Sequence, residues 1–160
     1  PQYRSNLMGK DYIISDAMKG WVSSEFDFNP IEADFITQIV HYGKIQYVLD
    51  ALLPETPDSI KIGFTSQQMD WAKNNEVNVW AHFIDQKLLF SSNSRDIMKF
   101  INEGPFSPGF HKESPARIGV WVGWQIVKAY MDRQPEVDLE KLLETDAKTI
   151  LKESKYKPKW

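Results

Sequence analysis

A mainly helical fold with little or no sheet is what this sequence predicts, and three observations carry the prediction. Apolar residues recur at threes and fours through long stretches. Asp, Asn, Ser and Thr stand where those stretches begin, and Gly or Pro where they end. Nowhere do two alternating apolar and polar runs meet at an Asn-Gly or Asp-Gly turn. At 160 residues, 42% hydrophobic and 26% charged, the chain suits one helical domain over 1–160. A chain of this length buries roughly 70% of the surface its unfolded form exposes, so it folds without a disulfide or metal staple.

In order along the chain, residues 11–22 place Ile13, Ile14, Ala17, Met18, Trp21 and Val22 at helical offsets, with Gly20 weakening the end. Asn29-Pro30-Ile31-Glu32 is an N-cap residue, a first-turn Pro and a capping-box Glu, and predicts the start of the longest helix. Phe35, Ile36, Ile39, Val40, Gly43, Tyr47, Val48, Ala51 and Leu52 continue it until Pro54. So much apolar circumference predicts a central position. Residues 54–59 read as a loop, and 59–64 is the nearest thing to a strand. Thr65 with Gln68 offers another capping box for a helix or helix pair, on which Trp80, Ala81, Ile84 and Leu88 make one stripe beside Phe83.

Ser94 is a cap for a short helix ending at Gly104-Pro105. Residues 104–115, with turns at Pro108 and Pro115, form the longest stretch without helical period. Ser114-Pro115 then predicts the start of a strong helix in which Ile118, Trp121, Val122, Gln125 and Val127 lie near one face with Trp124, Tyr130 and Met131. Gly119 and Gly123, one turn apart, predict another helix at short range. Asp138, and Thr145 or Asp146, cap two short final helices before a Lys-rich, solvated end.

Composition excludes several functions. With 19 basic against 22 acidic residues there is no excess of positive charge for nucleic acid. The absence of Cys removes thiol catalysis and thiolate metal sites. No apolar run approaches the ~20 residues that span a bilayer. The start at Pro1, without an initiator Met, leads us to expect a piece of a longer polypeptide.

The chemical motifs are sparse as well. His41, His82 and His111 include no i, i+4 pair, and His-Glu-x-x-His is absent. Gly43-Lys44 lacks the earlier Gly of a phosphate-cradling loop, and there is no Gly-x-Ser-x-Gly elbow. No metal and no cofactor are therefore expected within this chain, and no catalytic residue is assigned. More informative are polar residues inside apolar helices: Gln38, His41, Lys44 and Gln46 on the long helix, and Arg117, Gln125 and Lys128 on the late one. Burial is costly unless each finds a partner. Either Lys44 or Arg117 pairs structurally with Glu32, Asp34 or Asp50, or these groups line a cleft between the two helices. With the neighbouring aromatics, the candidate binding residues are His41, Tyr42, Lys44, Arg117, Trp121, Trp124 and Gln125.

Several segments together resemble a known family. They are His41-Tyr42-Gly43-Lys44-Ile45-Gln46-Tyr47 and Asp50-Ala51-Leu52-Leu53-Pro54, then Asn75-Glu76 with Trp80 and Phe83, and Gly104-Pro105-Phe106. The most specific is Ser114-Pro115-Ala116-Arg117-Ile118-Gly119-Val120-Trp121-Val122-Gly123-Trp124-Gln125-Ile126-Val127, with Ile150-Leu151 and Ser154-Lys155-Tyr156 closing the series. Over about residues 30–158 the chain resembles the C-terminal half of the gliding-motility lipoprotein GldB family of Bacteroidota. The resemblance implies a cell-envelope lipoprotein supporting gliding and associated with type IX secretion, anchored through a lipid upstream of this chain and meeting envelope protein partners.

That family is in turn distantly similar to zincin-like metalloproteases, which implies a zincin-like C-terminal subdomain. In those relatives the corresponding helix carries Glu-Gly, whereas here the pair is Tyr42-Gly43. A tyrosine supplies neither that carboxylate nor its charge, which implies a degenerate, non-peptidase version. Two functions are consistent with this. One is a non-catalytic envelope scaffold or binding module presenting its Trp-rich helices and the 104–115 loop. The other is the substrate-cleft part of a zincin-type metallohydrolase whose zinc helix lies upstream.

Overall fold

A computed structural model describes residues 9–26 and 28–159. Among them are nine helices and no strand: α1 (Lys10–Ser24), α2 (Phe35–Leu52), α3 (Asp58–Ile62), α4 (Ser66–Asn74), α5 (Glu76–Asp85), α6 (Ser94–Ile101), α7 (Ile118–Arg133), α8 (Leu139–Glu144) and α9 (Ala147–Ser154). The helical expectation holds.

The two long helices α2 and α7 form the spine, with α9 against both, α1 on α2 and α3, α6 on α7, and α8 on α2. Glycine explains how close the spine is. A Cβ on Gly123 would lie 1.8 Å from the Ile39 carbonyl oxygen, and one on Gly43 would lie 2.4 Å from the Gly123 carbonyl. A Cβ on Gly119 would meet the Phe100 carbonyl at 2.9 Å and Ile39 Cγ2 at 3.1 Å. The backbones therefore touch where the helices cross. The expected short-range partner of Gly119 and Gly123 is present, and no cleft opens between α2 and α7 at that point. Around the crossing, Phe35, Ile36, Ile39, Val40, Ile118, Val122, Trp124 and Ile126 are fully buried. This contact contributes heavily to stability, because burial of a large apolar side chain contributes roughly 1.5–3 kcal/mol.

Helix α2 starts later than Asn29-Pro30 predicts. Asp34 is its cap, accepting from Thr37 N at 3.1 Å, while Asn29 instead accepts from Ile31 N in a local turn. The reason is tertiary. Phe35 N and Ile36 N, left without partners inside the helix, donate to Ser91 O and Leu89 O, so the 89–91 segment completes the first turn. Gln38 Nε2 then ties the preceding turn down by donating to Pro30 O and Ala33 O.

Helix α7 likewise begins at Ile118, not at Ser114-Pro115. Arg117 precedes it in the left-handed conformation (φ 62°). Ser114 Oγ accepts from Ser107 N, and Ser107 Oγ donates to Pro115 O, so these residues fasten the 104–115 loop.

Other expectations need correcting. The stretch around 58–62 is a short helix, α3, where a loop and a weak strand were expected. Helix α1 runs through Gly20, but Ile13, Ile14 and Trp21 are exposed and it packs through Ser15 and Val22. On α5 the buried residues are Val79 and Phe83, with Ile84 half exposed. Asn93 caps α6 rather than Ser94. The Thr65–Gln68 capping box and the caps at Asp138 and Asp146 are present. Among the described residues no helix is long and apolar enough to cross a membrane.

Candidate functional site

Helix α2 presents its His41 and Lys44 away from α7, toward the α8–α9 junction. There they line a cavity of about 440 Å³ with Phe26, Phe28, Thr145 and Asp146 among its walls. Placement on successive turns of one helix puts His41 and Lys44 on the same side. The volume lies in the roughly 300–1,000 Å³ range of small-ligand sites.

One wall is aromatic. Phe28 stacks flat on His41 at 3.7 Å between centroids, Phe26 meets the same imidazole edge-on at 5.0 Å, and Tyr42 packs edge-on against His41 at 5.2 Å. Burial, with the Lys44 charge nearby, lowers the His41 pKa to about 4. The imidazole is therefore neutral at physiological pH. Among the described residues neither ring nitrogen has a hydrogen-bond partner.

The floor is a cation. Lys44 is only 8% exposed, and its Nζ donates to Leu143 O at 3.0 Å and Thr145 O at 2.6 Å, at the end of α8. No carboxylate lies within ion-pair distance of it among the described residues, so the expected pairing with Glu32, Asp34 or Asp50 is not made. Burial brings its pKa down to about 8, with Asp146 pulling weakly the other way. An ammonium has three donors and two are used. Both Asp146 oxygens are occupied in capping α9, through Lys148 N, Thr149 N and Thr149 Oγ1.

The other candidate residues lie elsewhere. Arg117 reaches Ile62 O at 3.4 Å and borders a small cavity of about 40 Å³ with Gln68 and Glu103; burial lowers its pKa. Trp121 is a core residue, 2% exposed. Gln125 borders a third cavity of about 510 Å³ beside Lys128, Asp132 and Tyr156. Tyr156 donates to Glu76 Oε1 at 2.6 Å, and burial together with that carboxylate raises its pKa. The structure thus places His41 and Lys44 in one cavity, with Tyr42 against His41 but outside the lining and within electrostatic reach of Arg117, while Trp121, Trp124 and Gln125 lie elsewhere.

Trp124 belongs to a polar cluster at the far side of the α2–α7 spine. Its Nε1 donates to Asp50 Oδ2 at 2.9 Å. Lys61, almost wholly buried, pairs with Asp50 and, at 3.0 Å, with Asp58. Lys128 pairs with Asp58 at 3.2 Å and lies 3.8 Å over the Trp124 ring. Burial works against the Lys61 charge, but the two carboxylates more than offset it and raise its pKa. Two cations, two anions and an indole satisfy one another, which makes this a structural lock. Nothing in the sequence marks Lys61, because Ile60 and Ile62 flank it in a stretch without a helical signal. Phe26 and Phe28 are equally unmarked, because they precede the helix that they pack on.

No group of three or more His, Asp or Glu side chains among the described residues is placed to hold a metal ion. A family model described as gliding motility protein GldB matches residues 1–158, which takes in α1 as well as the segments that carry the resemblance. No curated protein and no solved structure matches the chain.

Proposed function

Because the chain belongs to the gliding motility protein GldB family, whose label suggests a lipoprotein, we propose that its gliding role is that of a non-catalytic binding module of the cell envelope. The working site is the cavity between α2 and the α8–α9 junction. The observation that carries this is the setting of Tyr42. At the position that, on the resemblance, carries a carboxylate in metal-binding relatives, Tyr42 packs edge-on against His41 and Phe28 at 5.2 and 6.4 Å, outside the residues that line the cavity. A tyrosine supplies no carboxylate for a metal, and the phenylalanines packed beside it carry no acid, base or nucleophile. His41, held neutral, stacked on Phe28 and met edge-on by Phe26, is equally ill placed to titrate near neutral pH.

Envelope proteins are the proposed partners, and a lipid upstream of this chain is the proposed anchor. The helices described here supply a rigid platform for that role, since α2 and α7 are locked by backbone contact at Gly43 and Gly123. The test is metal analysis and a peptidase assay on the complete polypeptide purified from membranes. The binding-module proposal expects less than stoichiometric zinc and no cleavage. Stoichiometric zinc with peptidase activity would establish the metallohydrolase instead.

A further inference from the structure

We propose that the cavity beside Lys44 is an anion site, and that its ligand is a carboxylate carried on a flat apolar or aromatic body. This rests on the cavity being the working site and goes on to name the ligand's chemistry. Charge comes first. Lys44 is 92% removed from solvent by the packing of α2 on the α8–α9 junction, being 8% exposed, yet both its partners are neutral carbonyls. A buried cation is costly unless an anion compensates it. The other deeply buried lysine, Lys61, has two carboxylates. Lys44 has none among the described residues, and its ammonium borders a cavity of about 440 Å³ with one proton uncommitted.

The remaining polar groups narrow the choice. Asp146 is consumed by its cap, Thr145 Oγ1 donates to Lys141 O, and Thr37 Oγ1 donates to Asp34. Of the two other charged residues in the lining, Lys148 pairs with Asp34 at 3.2 Å and Glu144 lies 3.9 Å from Lys141; the uncommitted donors are the third Lys44 proton and the neutral imidazole of His41, which has one N–H to give. Two donors beside each other suit the two oxygens of a carboxylate. Phe26, Phe28, Val40 and Leu143 supply apolar surface in the same cavity, which a bare inorganic anion would leave uncovered. The same group could arrive as a free small acid or as the C-terminal carboxylate of a polypeptide.

Titration of the complete polypeptide, followed by amide NMR shifts in α2 and residues 143–148, separates these cases. The probes are N-acetylphenylalanine, its uncharged amide, acetate, and a short peptide ending in phenylalanine with a free or amidated C-terminus. The acid is expected to bind about tenfold or more tightly than the amide, the loss expected when a charged hydrogen bond is removed. It is also expected to bind better than acetate, and the substitution Lys44→Met is expected to abolish the difference between acid and amide. The free-ended peptide binding as well as the small acid indicates a polypeptide source, and its exclusion indicates a free acid. Equal binding of acid and amide, or no shift with any carboxylate, overturns the assignment, and neither comparison depends on the variant folding. Should no carboxylate bind while Lys44→Met still stops gliding, the anion assignment fails and the cavity remains the working site.

Discussion

Replacing Gly123 with Ala tests the contact on which the whole arrangement depends. The added Cβ would sit 1.8 Å from the Ile39 carbonyl oxygen and 2.4 Å from its carbonyl carbon. Against an ordinary contact of about 3.5 Å, that is an overlap of roughly 1.7 Å. Both partners are helix backbone, so no side chain can rotate away and α7 has to move off α2. A gap of even ~1 Å forfeits up to about half of each dispersion contact across the interface. Overpacking costs about 1–3 kcal/mol where side chains can yield, and with rigid backbone on both sides we expect about 4 kcal/mol. For a domain of this size that is a drop in Tm of about 12 °C at roughly 3 °C per kcal/mol. The assay is thermal unfolding by circular dichroism, with Gly20→Ala as control. A Cβ on Gly20 would meet nothing within 4 Å, and its place inside α1 is exposed. Alanine there is expected to stabilise by about 0.5–1 kcal/mol. A Gly123→Ala variant melting within about 2 °C of the parent would refute the close crossing and the rigidity inferred from it.

Three further outcomes are expected. His41 folds with its pKa lowered to about 4 from an ordinary 6.5. Between those values the unfolded chain binds more protons than the folded one, so stability rises with pH, by up to about 1.4 kcal/mol per unit from this group. His41→Phe keeps the stacking and should flatten that part of the urea-midpoint profile; an unchanged profile from pH 4 to 6.5 would contradict the burial. Asp50→Asn leaves Lys61 buried with only Asp58, and is expected to cost about 2–4 kcal/mol in urea unfolding. A cost under about 0.5 kcal/mol would mean that the lock is not stabilising. Thr65→Ala removes a capping box and should cost about 1 kcal/mol, with the first turn of α4 losing hydrogen-exchange protection before the rest.

How much of this was legible in the sequence depended on whether the deciding contact was local. Thr65 with Gln68, Asp138 and Asp146 act on backbone N–H groups two or three residues away, and their caps were readable for that reason. Gly119 and Gly123 were readable because small residues one turn apart on an apolar helix have little other use. The start of α2 was not, since Asn29-Pro30 and Asp34 are both competent caps. The choice falls to Ser91 and Leu89, which are more than fifty residues further on and accept from Phe35 and Ile36. Period alone also could not say which side of α1 or α5 meets the body, and Ile13, Ile14 and Ile84 face outward as a result.

The candidate site was half visible for the same reason. His41 and Lys44 stood out as polar groups in an apolar helix, but the carbonyls that hold Lys44 belong to Leu143 and Thr145, about a hundred residues away. Nothing near Lys44 in the chain announces them. The charged lock around Trp124 likewise joins Asp50, Asp58 and Lys61 to Lys128 across the spine. The family resemblance reached further than periodicity did, since it rests on a whole string of residues, and the family match covers residues 1–158.

The most direct test of the cavity as the working site is gliding itself. The complete gene carrying Lys44→Met is placed in a gliding strain that lacks its own copy, and colony spreading is scored alongside envelope abundance and the Tm of the purified protein. The account expects spreading to be lost while abundance stays near that of the parent, with Tm lowered only by the few degrees that two carbonyls without their donor cost, and Gly20→Ala to spread normally. A Lys44→Met strain that glides like the parent would contradict it.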